Sequence, residues 1–383
     1  MKQYLYISLF FLFQTTFAQV TFVVDEVPEN TSEDISIYIS GDFEGWTRGQ
    51  EIYKLGKMNN KFIITLPEQK GAINFKFTCG SWDTVERDKE GSDIQNRIYA
   101  FGKKNDTVSV EILNWDKNNV AQKLTTTENV FVLSDDFEIP QLKRKRRIWM
   151  YLPPNYETTD QSFPVIYMHD GQNIFDGNSS FSGEWEVDET LNRLYEKNNL
   201  SFIVVGIDNG GGKRLDEYSP WVNEKYGGGE GDAYLEFIVE TLKPYIDANY
   251  KTLVDKNNTA IIGSSMGGLI SHYAALKYPN VFGKVGVFSP AFWFAPEIKE
   301  FSNLHGSIQD TKMYFLAGGK EGNNTAFEEI SQTVIDMNSI INILKSDNFP
   351  SENIQSKVVP EGQHNEALWR NNFEEAILWL FKE

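Results

Sequence analysis

The chain has 383 residues, 36 of them basic and 54 acidic, for a net charge of −18, with four histidines and one cysteine. So acidic a surface repels nucleic acid and anionic membranes and excludes both as partners. A lone cysteine excludes an intramolecular disulfide and thiolate metal chemistry, four histidines leave little material for a metal cluster, and no motif calls for a cofactor.

Along the chain, residues 1–18 read as a secretory signal. Lys2 supplies a positive start, residues 4–13 an apolar stretch too short to span a bilayer, and Thr16-Phe17-Ala18 a small-residue cleavage site. The expectation is an exported, periplasmic or extracellular protein with no membrane attachment after cleavage. Residues 19–116 then alternate apolar and polar at period two. Candidate strands are 21–27, 35–40, 61–66, 72–78, 94–101 and 107–113, with turn clusters such as 57–60 between them, which predicts a β-sandwich. The polar, unpatterned stretch 117–129 reads as a linker.

From residue 130 the pattern changes to strands alternating with helices. Strands are expected at 130–133, 145–152, 165–168, 202–207, 260–263, 285–288, 313–316 and 354–359, and helices near 186–196, 232–248, 268–278, 326–345 and 366–381. Near-continuous apolar strands separated by helices predict an α/β fold, a mostly parallel sheet covered on both faces. The first two strands, with no helix between them, predict an antiparallel opening hairpin. The basic run at 143–147 falls there and reads as a solvated edge that resists intermolecular pairing.

Gly263-Ser264-Ser265-Met266-Gly267 sits where a strand meets a helix. There a G-x-S-x-G pentapeptide makes a nucleophile elbow, a turn so sharp that its central serine stands exposed above the sheet. A serine hydroxyl needs a base within hydrogen-bond reach, and the base needs an acid to orient it. In this architecture the order is Ser, acid, His. His169 precedes the serine, His305 precedes the strand that should carry the acid, and His272 lies two helical turns past the elbow. His364, in the loop before the last helix, is the candidate base, and Glu321, just after the strand at 313–316, the candidate acid. The oxyanion needs two backbone donors: Met266, after the nucleophile, and Gln172, in the loop His169-Asp170-Gly171-Gln172-Asn173. The Gly- and aromatic-rich stretch 209–231 is a candidate lid, with Arg214 as a substrate contact. Trp185, Trp221, Phe292 and Trp293 are candidates either for an acyl pocket or for the core.

With these residues placed, the region from residue 130 onward resembles the esterase-D-like branch of the α/β-hydrolases. The resemblance rests on Tyr167 to Asn173, Gly263 to Gly268 and Gly362-Gln363-His364. It implies a serine esterase with Ser265 as nucleophile, His364 as base, Glu321 as acid and Gln172 as an oxyanion donor. Members act on feruloyl, acetylxylan or siderophore esters. The acid is often Asp in that family, so Glu321 departs from the commoner pattern.

The first domain resembles starch-binding modules (carbohydrate-binding module family 20) through Gly41-Asp42-Phe43-Glu44-Gly45-Trp46, Phe75-Lys76-Phe77, Gly80-Ser81-Trp82 and Asn96-Arg97. That implies a polysaccharide partner stacked on Trp46 and Trp82, although both tryptophans also suit a sandwich core. The expected substrate is thus an ester borne by a carbohydrate, with a siderophore trilactone as the alternative.

Overall fold

The computed structural model describes residues 19–115 and 125–382, apart from 30, 33, 60, 70, 103, 104, 181, 182, 308, 309 and 323–329. The expected signal, most of the expected linker and the start of the helix expected at 326–345 lie outside the described residues. Among the described residues, no helix is long and apolar enough to cross a membrane.

The N-terminal region forms two sheets. One has the order β3 (Gly56–Met58), β4 (Lys61–Pro67), β1 (Gln19–Glu26), β7 (Asp106–Glu111), and the other β2 (Tyr38–Gly41), β5 (Ala72–Thr78), β6 (Arg97–Ala100). The period-two pattern is the cause. Val20, Phe22 and Val24 of β1 and Phe62, Ile64 and Leu66 of β4 point to one side, where they meet Ile39, Ile73, Phe75 and Phe77 of the second sheet. β3 was expected to be turn. All three of its residues are exposed, so no hydrophobic alternation marks it, and pairing with β4 makes it a strand.

The second region is an eight-stranded sheet of order β17 (Ile354–Val359), β16 (Lys312–Gly318), β15 (Lys284–Phe288), β14 (Thr259–Ser264), β10 (Val165–His169), β11 (Ile203–Ile207), β9 (Arg144–Tyr151), β8 (Val130–Ile139). The strands from β17 to β11 pair in parallel, and β9 and β8 form the expected antiparallel opening. Alternate residues feed opposite faces: Val165 and Tyr167 enter one core, Ile166 and Met168 the other. The first core is covered by α4 (Lys243–Asn249), α5 (Met266–Lys277), α6 (Ile298–His305) and α7 (Gln332–Ser346), the second by α1 (Val187–Asn198) and α8 (Glu366–Leu380). The helix expected at 232–248 is α3 (Gly231–Glu236), a π-turn at Phe237–Leu242 and α4, whose Pro244 has no amide hydrogen to continue a regular ladder.

The basic run is a correction. β9 is not an edge, because it lies between β11 and β8. Arg146 is buried and pairs with the fully buried Glu217, and Arg144 bridges Glu217 and Glu230. Those two arginines anchor residues 209–231, which contain α2 (Arg214–Glu217) and the small hairpin β12 (Val222–Asn223)–β13 (Gly227–Gly228). Lys143, Lys145 and Arg147 are solvent-exposed, the latter two paired with acids of the true edge strand β8.

Candidate active site

β14 delivers its chain directly into α5 through Ser265, whose φ of 58° and ψ of −119° are the strained turn that the pentapeptide predicts. The flanking glycines are a steric necessity. A Cβ on Gly263 would stand 2.7 Å from the Gly267 carbonyl carbon and 2.8 Å from His169 Cδ2, and one on Gly268 would stand 2.9 Å from the Phe288 oxygen. The turn is pinned to β15, since Ser265 N donates to Phe288 O at 2.9 Å and Ala291 N donates to Ser265 O at 2.9 Å.

Across that junction, Glu321 follows β16 and is buried. Its Oε1 accepts from Ser289 Oγ at 2.5 Å and Gly318 N at 2.6 Å, and its Oε2 takes His364 Nδ1 at 3.0 Å. Trp369 Nε1 donates to Ser289 Oγ at 2.8 Å, so the carboxylate that orients the imidazole is itself oriented. Burial alone would depress the His364 pKa. The Glu321 charge and hydrogen bond, with Glu366, outweigh it and raise the imidazole above 6.5. The Ser265 hydroxyl has no hydrogen-bond partner among the described residues, His364 included. Catalytic contacts of this kind commonly tighten only around bound substrate.

Met266 opens α5 and Gln172 sits in a 3-10 turn, Gly171–Asn173. First-turn amides have no intrahelical partner and suit an anion. Gly171 is needed because a Cβ there would lie 2.9 Å from Asp208 N and from the carbonyl carbons of Gly206 and Ile207. Gln172 is held by Asn209 N, which donates to its Oε1, and by Ser179 Oγ, which donates to its carbonyl.

Asp170 does not join Glu321. Its carboxylate, in left-handed backbone (φ 57°), takes a two-pronged contact from Arg214 (Nε 2.7 Å, Nη2 2.8 Å) and Asn209 Nδ2 at 2.7 Å. Arg214 is therefore committed to Asp170 rather than free for ligand, although its charge still reaches His364. The other histidines are packed or distal. His169 is buried on the Tyr234 hydroxyl and His272 on Ser302, burial pulling each to about 3, and His305 ends α6.

Trp185 and Phe292, candidates for an acyl pocket, are core residues. Trp185 packs on Phe288 and Trp369 beneath the site, and Phe292 packs on His272. Trp221 is half-buried against Tyr273 and Phe301. Trp293 is 45% exposed and lies edge-on to Tyr226.

The N-terminal sandwich reaches this site. A Cβ on Gly45 would meet Tyr226 at 3.5 Å and Leu215 at 3.7 Å, and one on Gly212 would meet the Arg48 guanidinium. Burial raises the Asp42 pKa, opposed by hydrogen bonds from Asn74 and by the positive charge of His364, while Asp42 Oδ1 is buried without a partner among the described residues. Burial also lowers the Lys76 pKa, against Asp93, Glu86 and Glu366. Sequence reasoning missed Asp42 and Lys76 as neighbours of the loop that carries His364 and Glu366, because only docking of the two regions brings them there. Trp46, just after Asp42, and Trp82, in the turn after β5, are half-buried with ring centroids 6.1 Å apart.

The Esterase family, described as “Putative esterase”, matches residues 139–380. The chain belongs to that family. YbbA of Bacillus subtilis is 28% identical to this esterase over 246 residues, 62% of this chain and 92% of that protein. An endo-1,4-β-xylanase/feruloyl esterase of Xylanibacter ruminicola is 25% identical over 242 residues, 61% of this chain and 29% of that protein. Among solved structures, the enterobactin esterase FES from Shigella flexneri superposes with a TM-score of 0.53 at 15% identity, covering 91% of this chain and 88% of that one. The esterase is a carboxylic ester hydrolase on an α/β-hydrolase fold, with a separate β-rich N-terminal region.

Proposed function

We propose that the chain is an exported serine esterase that cleaves acyl or feruloyl esters of carbohydrate through Ser265, His364 and Glu321. The hydrogen bond from the His364 imidazole to buried Glu321, at the sheet end that carries the strained Ser265, is the observation that carries this reading. Ser265 Oγ attacks the ester carbonyl as His364 Nε2 takes its proton, and the amides of Met266 and Gln172 stabilise the oxyanion. The same proton passes to the departing alcohol. Water, deprotonated by His364, then releases the acid and restores the serine.

The carbohydrate reading is supported by the feruloyl esterase relative and by the Trp46–Trp82 pair, which offers a sugar ring an apolar surface near the catalytic loops. It is supported too by the charge near the site, where Arg214 is neutralised by Asp170 and Lys76 is buried, leaving little to hold a polyanionic ligand. A trilactone siderophore is the second reading, favoured by the enterobactin esterase, whose likeness extends over both regions. Turnover of feruloylated and acetylated oligosaccharides compared with a catecholate trilactone decides between them. Trilactone hydrolysis far above that of every glycan ester refutes the first. Trp46→Ala with Trp82→Ala is expected to raise KM for glycan esters roughly tenfold and leave p-nitrophenyl acetate unchanged.

A further inference from the structure

We infer that Glu184, Asp188 and Glu189 form a calcium-binding site on the far side of the oxyanion loop. One carboxylate oxygen from each lies within 4.8 Å of the other two, the span that a single cation with metal–oxygen distances of about 2.4 Å bridges. An acidic cluster alone is weak ground, since such groups often share protons or meet solvent.

Here the oxygens themselves point to a ligand. Asp188 is fully buried and Glu184 more than nine-tenths so. Asp188 Oδ2 accepts from Thr127 N and Oγ, and Glu184 Oε2 accepts from Thr125 Oγ, yet Asp188 Oδ1, Glu184 Oε1 and Glu189 Oε2 are buried with no hydrogen-bond partner among the described residues beyond the contact of the Asp188 and Glu189 carboxyls with each other. No described cation pairs with the three carboxylates. Arg370 is close, but it binds Glu186 and the Glu184 carbonyl, and Arg193 turns to Thr190 and Glu374. Buried anionic oxygens without donors are costly, and a hard divalent ion answers all three at once. Asp176, which accepts from Thr125 N and Oγ, adds negative charge beside them.

The position gives the ion a structural task. Glu184 and Asp188 flank the start of α1, and their partners Thr125 and Thr127 belong to the segment entering β8. The loop between Gln172 and Glu184 is tied to the oxyanion turn by Ser179 Oγ, which donates to Gln172 O, and by Trp185 N, which donates to Asn173 O. An oxygen-only shell of buried carboxylates with irregular spacing suits Ca²⁺ better than the strict octahedron of Mg²⁺.

The test is calorimetric titration of the EDTA-stripped mature protein with CaCl2 and with MgCl2, paired with thermal unfolding. One Ca²⁺ per chain is expected, with a Tm rise of roughly 5 °C at a hundredfold excess over Kd. Asp188→Asn and, as the milder change at a partly exposed side chain, Glu189→Gln should each abolish or sharply weaken binding. Absence of binding heat and of any Tm change, tighter binding of Mg²⁺, or Ca²⁺ binding that survives Glu189→Gln unaltered each overturns the assignment.

Discussion

At the scale of single residues, the proposed triad rests on one carboxylate held by three donors. Glu321 Oε1 is occupied by Ser289 and Gly318, so Oε2 is the oxygen left for His364. In Glu321→Gln, the same two donors would keep the amide oxygen at Oε1 and turn the NH2 group toward Nδ1. The imidazole would then be held in the wrong tautomer, and kcat is expected to fall by about 10⁴-fold. The pH profile adds a second readout. His364 must be neutral to act as base, and its pKa is raised above 6.5, so kcat/KM should rise with pH with a midpoint above that value. Removing the Glu321 charge leaves burial less opposed, and the midpoint of the residual activity should move to lower pH. Ser265→Ala should remove turnover by at least about 10⁴-fold while the fold stays intact, checked by labelling with a fluorophosphonate probe, which should vanish.

At the scale of elements, two junctions set the geometry. The elbow between β14 and α5 closes only because Gly263 lets strand and helix approach to within carbon–carbon contact. Gly263→Ala should cost about 1–3 kcal/mol, seen as a lower Tm, with loss of activity beyond what unfolding explains. The second junction joins β9 to residues 209–231 through Arg144, Arg146, Glu217 and Glu230. Glu217→Gln leaves Arg146 buried and uncompensated and should cost roughly 3–5 kcal/mol by denaturant titration. Residues 209–231 were expected to be a candidate lid. Those ion pairs, with Asp170–Arg214, make them a fixed bracket instead, because opening would strand buried charges.

At the scale of the whole molecule, the sandwich packs against residues 209–231 beside the candidate site. Its loop around Gly45 faces Tyr226 and Leu215, and Arg48 lies against Gly212. Gly45→Phe should wedge this contact apart, raising KM for oligosaccharide esters roughly tenfold while p-nitrophenyl acetate turnover changes little. Equal loss on both substrates would mean that the sandwich does not shape the substrate pocket.

How much the chain announces in advance differs between these scales. The parallel sheet, its antiparallel opening and most strand positions were legible, because period-two burial and long apolar runs are local consequences of covering a sheet on one face or both. The elbow turn at Ser265 and the meeting of Glu321 with His364 were legible too, since a sharp turn demands glycine and the chain order follows the strand order. What escaped depends on contacts between distant segments. Arg144 and Arg146 read as a solvated edge, Trp185 and Phe292 as either pocket or core, and the Asp170 partner of Arg214 was not foreseen, because a side chain's partner is chosen by packing that leaves no periodic trace. The docking of Asp42 near His364 and of Lys76 near Glu366, and the gathering of Glu184, Asp188 and Glu189, belong to the same class. Local chemistry determined which residues could react, and only the tertiary fold decided what surrounds them.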